Sequence, residues 1–179
     1  MAHNHLEQLI SEWYEYQGYY VKRNVQVGRR LKGGYECELD IIAYRPKDQK
    51  LVHVEPSMDA DNWNERERRY KKKFDAGKKY IKAEFSDFNI SEELEVEQIA
   101  VFGNIKSKKL ETLVGGKIKT VGEILQEIFV GISDKKILSA AIPEHLMILR
   151  SFQFVSEYKE DVLLAWNIKT SKTTPPRSP

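Results

Sequence analysis

Two neighbouring segments decide the fold of this chain: Glu36-Cys37-Glu38-Leu39-Asp40-Ile41-Ile42-Ala43-Tyr44 and, after a short turn, Leu51-Val52-His53-Val54-Glu55-Pro56-Ser57. Both segments are short and apolar, and turn-forming residues fill the connection 45–50, so the pattern predicts two strands joined as a hairpin. Because side chains alternate along a strand, Glu36, Glu38 and Asp40 are expected on one face and Cys37, Leu39 and Ile41 on the other. On the second strand His53, Glu55 and Ser57 share a face.

Acidic side chains within these apolar strands are the first indication of function. In a hairpin, Asp40 and Glu55 can approach each other. Burying a carboxylate is costly unless it is paired or binds a cation. Carboxylate oxygens are suitable ligands for hard divalent cations. The sequence therefore predicts a divalent metal site at Asp40 and Glu55.

Composition sets the limits of the fold and of the function classes. The chain has 179 residues, of which 41% are hydrophobic and 31% charged. This is enough for one packed domain, predicted over 1–169, followed by a Ser/Thr/Pro/Lys-rich tail at 170–179 that is expected to be disordered. A single cysteine, Cys37, excludes an internal disulfide framework and a cysteine zinc cage. Without an apolar signal core or a membrane-spanning run, a cytoplasmic protein with no membrane partner is expected.

Periodicity and end signals predict the other elements. Asn4 with Glu7, and Asn62 with Glu65, have capping-box spacing at the starts of two helices. In chain order the predicted elements are a helix from Leu6 to Gly18, a strand 19–27, a long helix from about Trp63 to about Phe85, an apolar strand 95–103, a short helix 106–114, an extended piece 117–121, a helical stripe 121–129, and a last helix from Pro143 that could continue to Trp166.

The long helix is strongly cationic, and a basic loop precedes the acidic strand. A phosphate backbone is a natural partner for such surfaces, because each neutralised phosphate releases counterions. A solvated lysine-rich helix explains the same composition, so both interpretations stay open. The candidate nucleic-acid-binding residues are Arg29, Arg30, Lys32, Arg66, Arg69, Lys72 and Lys73.

The order helix, three strands, long helix, strand resembles the PD-(D/E)xK nuclease superfamily over roughly Leu6 to Phe102. Asp40 matches the first acid of the motif and Glu55 the second, while Ser57 stands where the lysine is usually found. The resemblance implies an α/β fold with a restriction endonuclease-like core. It also implies a central mixed β-sheet flanked by helices in αβββαβ order, to which this chain would add extra C-terminal helices.

The resemblance also implies a site and a reaction. Asp40 and Glu55 would hold Mg²⁺ or Mn²⁺, with the Pro56 carbonyl and Glu38 as further ligands. Glu12 looks similar to the acid that some members carry on the first helix, where it could bind a second metal. Ser57 can hydrogen-bond water but supplies no charge, so Lys73 or Arg69 would have to reach back from the long helix.

The implied function is a metal-dependent DNA endonuclease of the repair, junction or restriction type, with a homodimer as one form. The alternatives are a catalytically silent nucleic-acid-binding protein or assembly partner, and a small-molecule metalloenzyme, which the lysine-rich helix disfavours. His53 is interpreted as a structural histidine, with donation to a phosphate or a water as the alternative. Gln98, on the next strand, is a further candidate for contact with the site.

Overall fold

The computed structural model describes residues 4–59, 61–103 and 111–171. The protein is an α/β fold in which helices flank a six-stranded mixed sheet. The elements in chain order are α1 (His5–Tyr16), β1 (Tyr20–Arg29), β2 (Tyr35–Arg45), β3 (Lys50–Ser57), α2 (Trp63–Glu84), a short 3₁₀ turn (Ser86–Phe88), β4 (Val96–Phe102), β5 (Thr112–Leu113), β6 (Gly116–Thr120), α3 (Val121–Ile132), α4 (Met147–Glu157) and α5 (Lys159–Ser171).

The sheet combines an antiparallel half with a parallel one. Its strand order is β1-β2-β3-β4-β6-β5, and β2 runs antiparallel to both of its neighbours, β1 and β3. The chain then crosses over through α2, so that β4 pairs parallel to β3, and β6 pairs parallel to β4. Glu55 and Ser57 therefore lie at the carboxyl end of β3, beside the end of β4.

Helix α2 covers the strands that carry the acids. The side chain of Asn62 caps it, accepting from the Glu65 backbone N–H at 3.0 Å. Its buried face is Tyr70, Phe74, Ala76, Gly77 and Ile81, of which all but Ala76 lie on the apolar stripe that the sequence predicts, and its exposed cations occupy the other faces. Burial of this apolar stripe against the sheet fixes which residues of α2 face β2 and β3.

The pairing of β1 with β2 is interrupted twice, and the alternation of β2 changes face across Asp40, contrary to the prediction. The pairing of β1 with β2 leaves out Asn24 and Gly28, which have φ values of +53° and +68°, and the residues opposite them, Asp40 and Glu36. Across these irregularities Cys37 and Leu39 pack in the same hydrophobic cluster as Ile42 and Tyr44. Strict alternation would place these pairs on opposite faces. Strict alternation therefore does not establish that Glu38 lies on the same face of β2 as Asp40.

The later elements differ from prediction in two places. Thr112–Leu113 is a strand, so the predicted helix 106–114 is wrong there, and the rest of that prediction lies largely outside the described residues. The last predicted helix begins at Met147 and not at Pro143, and it is two helices, because α4 ends at Glu157 and α5 begins at Lys159. The predicted tail falls mostly on 172–179, also outside the described residues. Over the described ranges, no helix has the length and apolar character needed to cross a bilayer.

The chain divides into two compact units, 1–126 and 127–179. The first contains α1, α2 and the whole sheet. In the second, the buried Gln153 ties a loop to α4: its Oε1 accepts from the Ile142 N–H at 3.0 Å, and its Nε2 donates to the Lys135 and Ala140 carbonyls. Since compactness does not show that a unit folds alone, the single domain over 1–169 stays a prediction.

Candidate active site

The β2–β3 hairpin brings Asp40 and Glu55 together. The register pairs Ile41 with Val54, which puts the two acids side by side at the next position. The regular pairing is interrupted at Asp40, and its backbone N–H donates to the side chain of Glu55, at Oε1, over 3.1 Å. The predicted approach of these two acids is therefore present in the structure.

Lys73, from α2, lies between the two carboxylates. Its Nζ donates to Asp40 Oδ1 at 2.5 Å and also contacts Glu55 Oε2. The Glu55 side chain is 1% exposed, and those of Asp40 and Lys73 are 15% and 22% exposed. One ammonium thus joins two carboxylates at the edge of the buried core, which leaves the trio one positive charge short of neutrality.

The electrostatics of this trio follow from burial. Burial and the neighbouring Glu55 carboxylate raise the pKa of Asp40 to about 7. Burial also raises the pKa of Glu55, despite the opposing effect of Lys73. For Lys73, burial disfavours the ammonium, but Glu55 and Asp40 outweigh it and raise the pKa. Perturbed carboxyl groups in a cleft are a common mark of a functional site.

His53 contacts Glu55 from the same strand. Its ring is fully buried, and Nε2 lies 2.7 Å from Glu55 Oε1. The other ring nitrogen, Nδ1, lies 3.4 Å from Gln98 Nε2 on β4. Burial and the charge of Lys73 lower the pKa of His53 to about 3, so the imidazole is neutral. Both residues singled out beside the motif therefore take part in its hydrogen-bond network.

Ser57, which the resemblance puts at the position of the motif lysine, bonds to an arginine. Its hydroxyl accepts from Arg69 Nη2 at 2.8 Å and donates to Asp59 Oδ2 at 3.0 Å. Arg69 Nη1 is paired with Asp59 and Asp61, at 2.7 and 2.9 Å. The hydrogen bond from Arg69 lowers the pKa of Asp59. A guanidinium thus lies where the strand itself carries no charge.

One open, polar cleft of about 330 Å³ is lined by Asp40, Glu55, Ser57, Asp59, Arg69 and Lys73. Its lining also includes Pro56, Tyr70 and, from the start of α1, Asn4 and Glu7. Burial and the nearby Asp40 raise the pKa of Glu7. The Tyr70 hydroxyl donates to the Glu55 carbonyl at 3.0 Å.

The α1 acid in the cleft differs from the one predicted. Glu12 is buried and accepts from Gln8 Nε2 at 2.8 Å, and it is not among the lining residues. Glu7 lines the cleft because the Asn4 cap places the first turn of α1 there, and Asn4 Nδ2 donates to Glu7 Oε1. The capping-box spacing was the available signal for Glu7. Glu38 is exposed and also outside the lining.

The oxygen donors fit a divalent cation that is only partly enclosed by protein. Asp40 Oδ1 and Glu55 Oε2 converge on a single cationic atom, Lys73 Nζ, at an open cleft. Mg²⁺ is commonly held by one or two carboxylates together with water and phosphate. Within the described ranges, no group of three or more His, Cys, Asp or Glu side chains could hold a metal. The two acids suit such a site, and an all-protein metal cage is not formed there.

The candidate nucleic-acid-binding residues fall into two groups. Arg29, Arg30, Lys32 and Lys72 are exposed. The other three are engaged within the protein: Lys73 and Arg69 as described, and Arg66 through a bond to the Asp59 carbonyl at 2.7 Å and a cation–π contact with Phe102. The exposed group is therefore the part of the predicted surface that is available to an external phosphate.

A second cleft, of about 400 Å³, lies at the other ends of β3 and β4. Its charges include the exposed pair Lys117–Glu97, joined at 2.6 Å. Ligands of open α/β sheets bind at the carboxyl ends of the strands. The cleft at Glu55 and Ser57 has that position and is taken as the candidate active site.

Comparison of the chain with protein-family models, with curated proteins and with solved structures finds no match. The functional interpretation therefore depends on the geometry of the cleft.

Proposed function

We propose that this chain is a divalent-metal-dependent DNA endonuclease with a restriction endonuclease-like core, of the repair, junction or restriction type. The observation that carries the proposal is the convergence of Lys73 Nζ on Asp40 and Glu55 in an open cleft. Lys73 would supply from α2 the positive charge that the motif lacks at Ser57.

The element order supports the fold part of the proposal. The sequence α1, β1, β2, β3, α2, β4 follows the αβββαβ order that the resemblance implies. The first acid lies on β2, and the second acid and Ser57 lie at the end of β3, as the motif requires. Three antiparallel strands and a parallel crossover bring these positions to one edge of the sheet.

Each residue of the cleft has a defined task in this proposal. Asp40 and Glu55 would hold Mg²⁺ or Mn²⁺, and Pro56, which lines the cleft, leaves its carbonyl as a third oxygen. The bound metal would supply activation of water and neutralisation of phosphate charge. Lys73 keeps its ammonium, because its pKa is raised, and can donate to a water or a phosphate oxygen. Arg69, held by Ser57, Asp59 and Asp61, would add positive charge at the edge of the cleft without a free guanidinium fork.

Cleavage assays with a matched pair of lysine variants test the proposal. Lys73→Met is expected to lower the cleavage rate about a hundredfold or more, as for other groups that assist proton transfer. Lys71→Met removes an exposed α2 lysine that is paired with Asp75 and lies outside the candidate nucleic-acid-binding residues, and it should leave the rate close to that of the wild type. Asp40→Asn and Glu55→Gln should abolish cleavage in Mg²⁺ or Mn²⁺, as should EDTA.

Two results would contradict the proposed endonuclease activity. One is no cleavage of supercoiled, branched, single-stranded or mismatched DNA in either metal. The other is cleavage by Asp40→Asn or Glu55→Gln at the wild-type rate, which would point to a contaminating nuclease.

The ion pairs of Lys73 also favour a second candidate, a catalytically silent nucleic-acid-binding protein or assembly partner. There Lys73 serves to neutralise two buried carboxylates, and the exposed cations bind DNA. Salt-dependent DNA binding that survives Asp40→Asn and is unaffected by metal, with no cleavage, identifies this candidate.

A further inference from the structure

We propose that His53, held in place by Gln98, is a positioning residue that fixes the Glu55 carboxylate so that one of its oxygens faces the cleft. This inference depends on the proposed function only for its consequence, metal binding by Glu55. The hydrogen-bond chain itself is a property of the fold.

The two oxygens of Glu55 have separate surroundings. Oε1 accepts from two donors, the Asp40 backbone N–H at 3.1 Å and His53 Nε2 at 2.7 Å. Oε2 contacts Lys73 on the side of the cleft. A carboxylate bound by two fixed donors on one oxygen cannot rotate freely about its terminal bond. The other oxygen is thereby directed at the cation between the acids.

The tautomer of His53 follows from its second neighbour. Gln98 Nε2 donates to the Phe74 carbonyl at 2.8 Å, which fixes the orientation of the amide. The remaining amide hydrogen faces His53 Nδ1 at 3.4 Å. An amide nitrogen donates and does not accept, so Nδ1 is the acceptor and the proton of the neutral ring lies on Nε2. His53 therefore donates to Glu55, as metal-site second neighbours commonly do.

Packing holds the ring in this orientation. His53 is completely buried, and the Phe74 ring meets it edge-on, with centroids 5.5 Å apart. Helix α2 approaches so closely that a Cβ at Gly77 would lie 2.2 Å from Nδ1. With no side chain at Gly77, the ring sits against the helix backbone and has no room to turn over. A merely space-filling core residue would not need two polar partners aligned in this way.

Nuclear magnetic resonance of the metal-free protein tests the hydrogen-bond chain directly. The chain contains four histidines, so a long-range ¹H–¹⁵N spectrum can resolve His53. The expected result is a ring with its proton on Nε2 and an unprotonated Nδ1. Glu55→Gln should shift that proton resonance, and Gln98→Leu should shift the Nδ1 resonance. A ring with its proton on Nδ1, or an Nε2 proton that Glu55→Gln does not move, would overturn the inference.

Two His53 variants test the consequence for metal binding. His53→Gln retains an N–H donor near the position of Nε2, whereas His53→Leu fills similar space without one. Titration calorimetry with Mn²⁺ should show binding weakened about tenfold or more in His53→Leu, the usual size of such effects, and largely rescued in His53→Gln. Equal Mn²⁺ affinity of folded His53→Leu and wild type would overturn the positioning role.

The two experiments separate this inference from the proposed function. If wild-type protein does not bind Mn²⁺ at all, the metal-dependent nuclease fails, while the ring spectrum still decides whether His53 positions Glu55. If His53→Leu does not fold, the wild-type spectrum and the Gln98→Leu shift carry the test. Cleavage activity is needed for neither.

Discussion

At the scale of single residues, the surroundings of Asp40 disfavour the ionised form of its carboxyl group. Burial and Glu55 raise its pKa to about 7, although Lys73 is in contact with it. An unfolded chain releases the same proton near pH 4. Between these values the folded protein binds a proton that the unfolded chain has lost, so the free energy of unfolding falls as the pH rises from about 4 to about 7.

Asp40→Asn removes this loss of stability. Relative to the wild type, the variant is expected to gain about 3 kcal/mol in free energy of unfolding between pH 5 and pH 8, since the wild type loses about 1.4 kcal/mol for each of the two pH units below the folded pKa of about 7. Urea unfolding in EDTA at the two pH values measures the change. Glu38→Gln, which removes an exposed carboxylate from the same strand, is the control and should show no such gain. A wild-type advantage that grows with pH would contradict the assignment.

The residues of the cleft could be predicted from the sequence to differing degrees. Asp40 and Glu55 follow from two short strands and a tight connection, which fix the register of a hairpin. The sequence identifies Lys73 only as one of two α2 cations that could contact the acids. Which of them does so depends on the rotation of the helix about its axis, and packing sets that rotation. The sequence analysis predicts Glu12, and not Glu7, as the α1 acid of the site. The direction in which α1 enters the cleft depends on tertiary contacts, which the sequence pattern does not give.

At the scale of elements, the fit of α2 against β3 depends on Gly77. Its position places the helix backbone against the imidazole of His53, where a Cβ added to the glycine would lie 2.2 Å from Nδ1 and 2.7 Å from Cε1. A buried ring between a strand and a helix cannot yield as a flexible surface side chain can. Gly77 therefore sets the separation of the two elements that carry the site.

Gly77→Ala is expected to destabilise the protein by about 2 kcal/mol, because overpacking of a filled core outweighs the gain of about 1 kcal/mol in helix propensity. Thermal or urea unfolding measures it. The control is Gly122→Ala in α3, where the nearest atom, Thr120 Oγ1, lies at an ordinary 3.8 Å, so stability should be unchanged or slightly higher. Equal stabilities of the two variants would show that the helix can move away from β3.

The elements themselves were largely predictable, and the exceptions have physical causes. The stripe and caps of α2 predicted its bounds within about one residue, because periodicity and capping are both local. The irregular positions at Asn24 and Gly28 were not predicted, because a period of two assumes regular pairing. The break at Tyr158 between α4 and α5 was missed, since neither proline nor glycine marks it.

At the scale of the whole molecule, the nearly neutral net charge of +2 conceals an uneven surface. At the cleft, Arg69 is paired with Asp59 and Asp61, and Lys73 is paired with Asp40 and Glu55. The basic residues of the β1–β2 connection are exposed. The basic residues of the connection are therefore more accessible to a polyanion than the cleft cations, which already have carboxylate partners.

This arrangement predicts the salt dependence of DNA binding. Replacing Arg29, Arg30 and Lys32 together by Gln should lower the magnitude of the slope of log K against log salt concentration by about 2 to 3, since each duplex phosphate contact contributes about 0.9. Fluorescence anisotropy with a short duplex measures the slope. Lys117→Gln, whose ammonium is paired with Glu97, is the control and should change it little. An unchanged slope in the triple variant would place the DNA elsewhere.

The location of Lys73 has a consequence for how such sites are recognised. The contact between Lys73 and Glu55 spans 18 positions of sequence and joins a helix to a strand. A pattern written as three adjacent positions of one strand cannot describe it, whereas a spatial template of two carboxylates and one ammonium can. The spatial template would find chains that carry the cation on the following helix, and the sequence pattern would miss them.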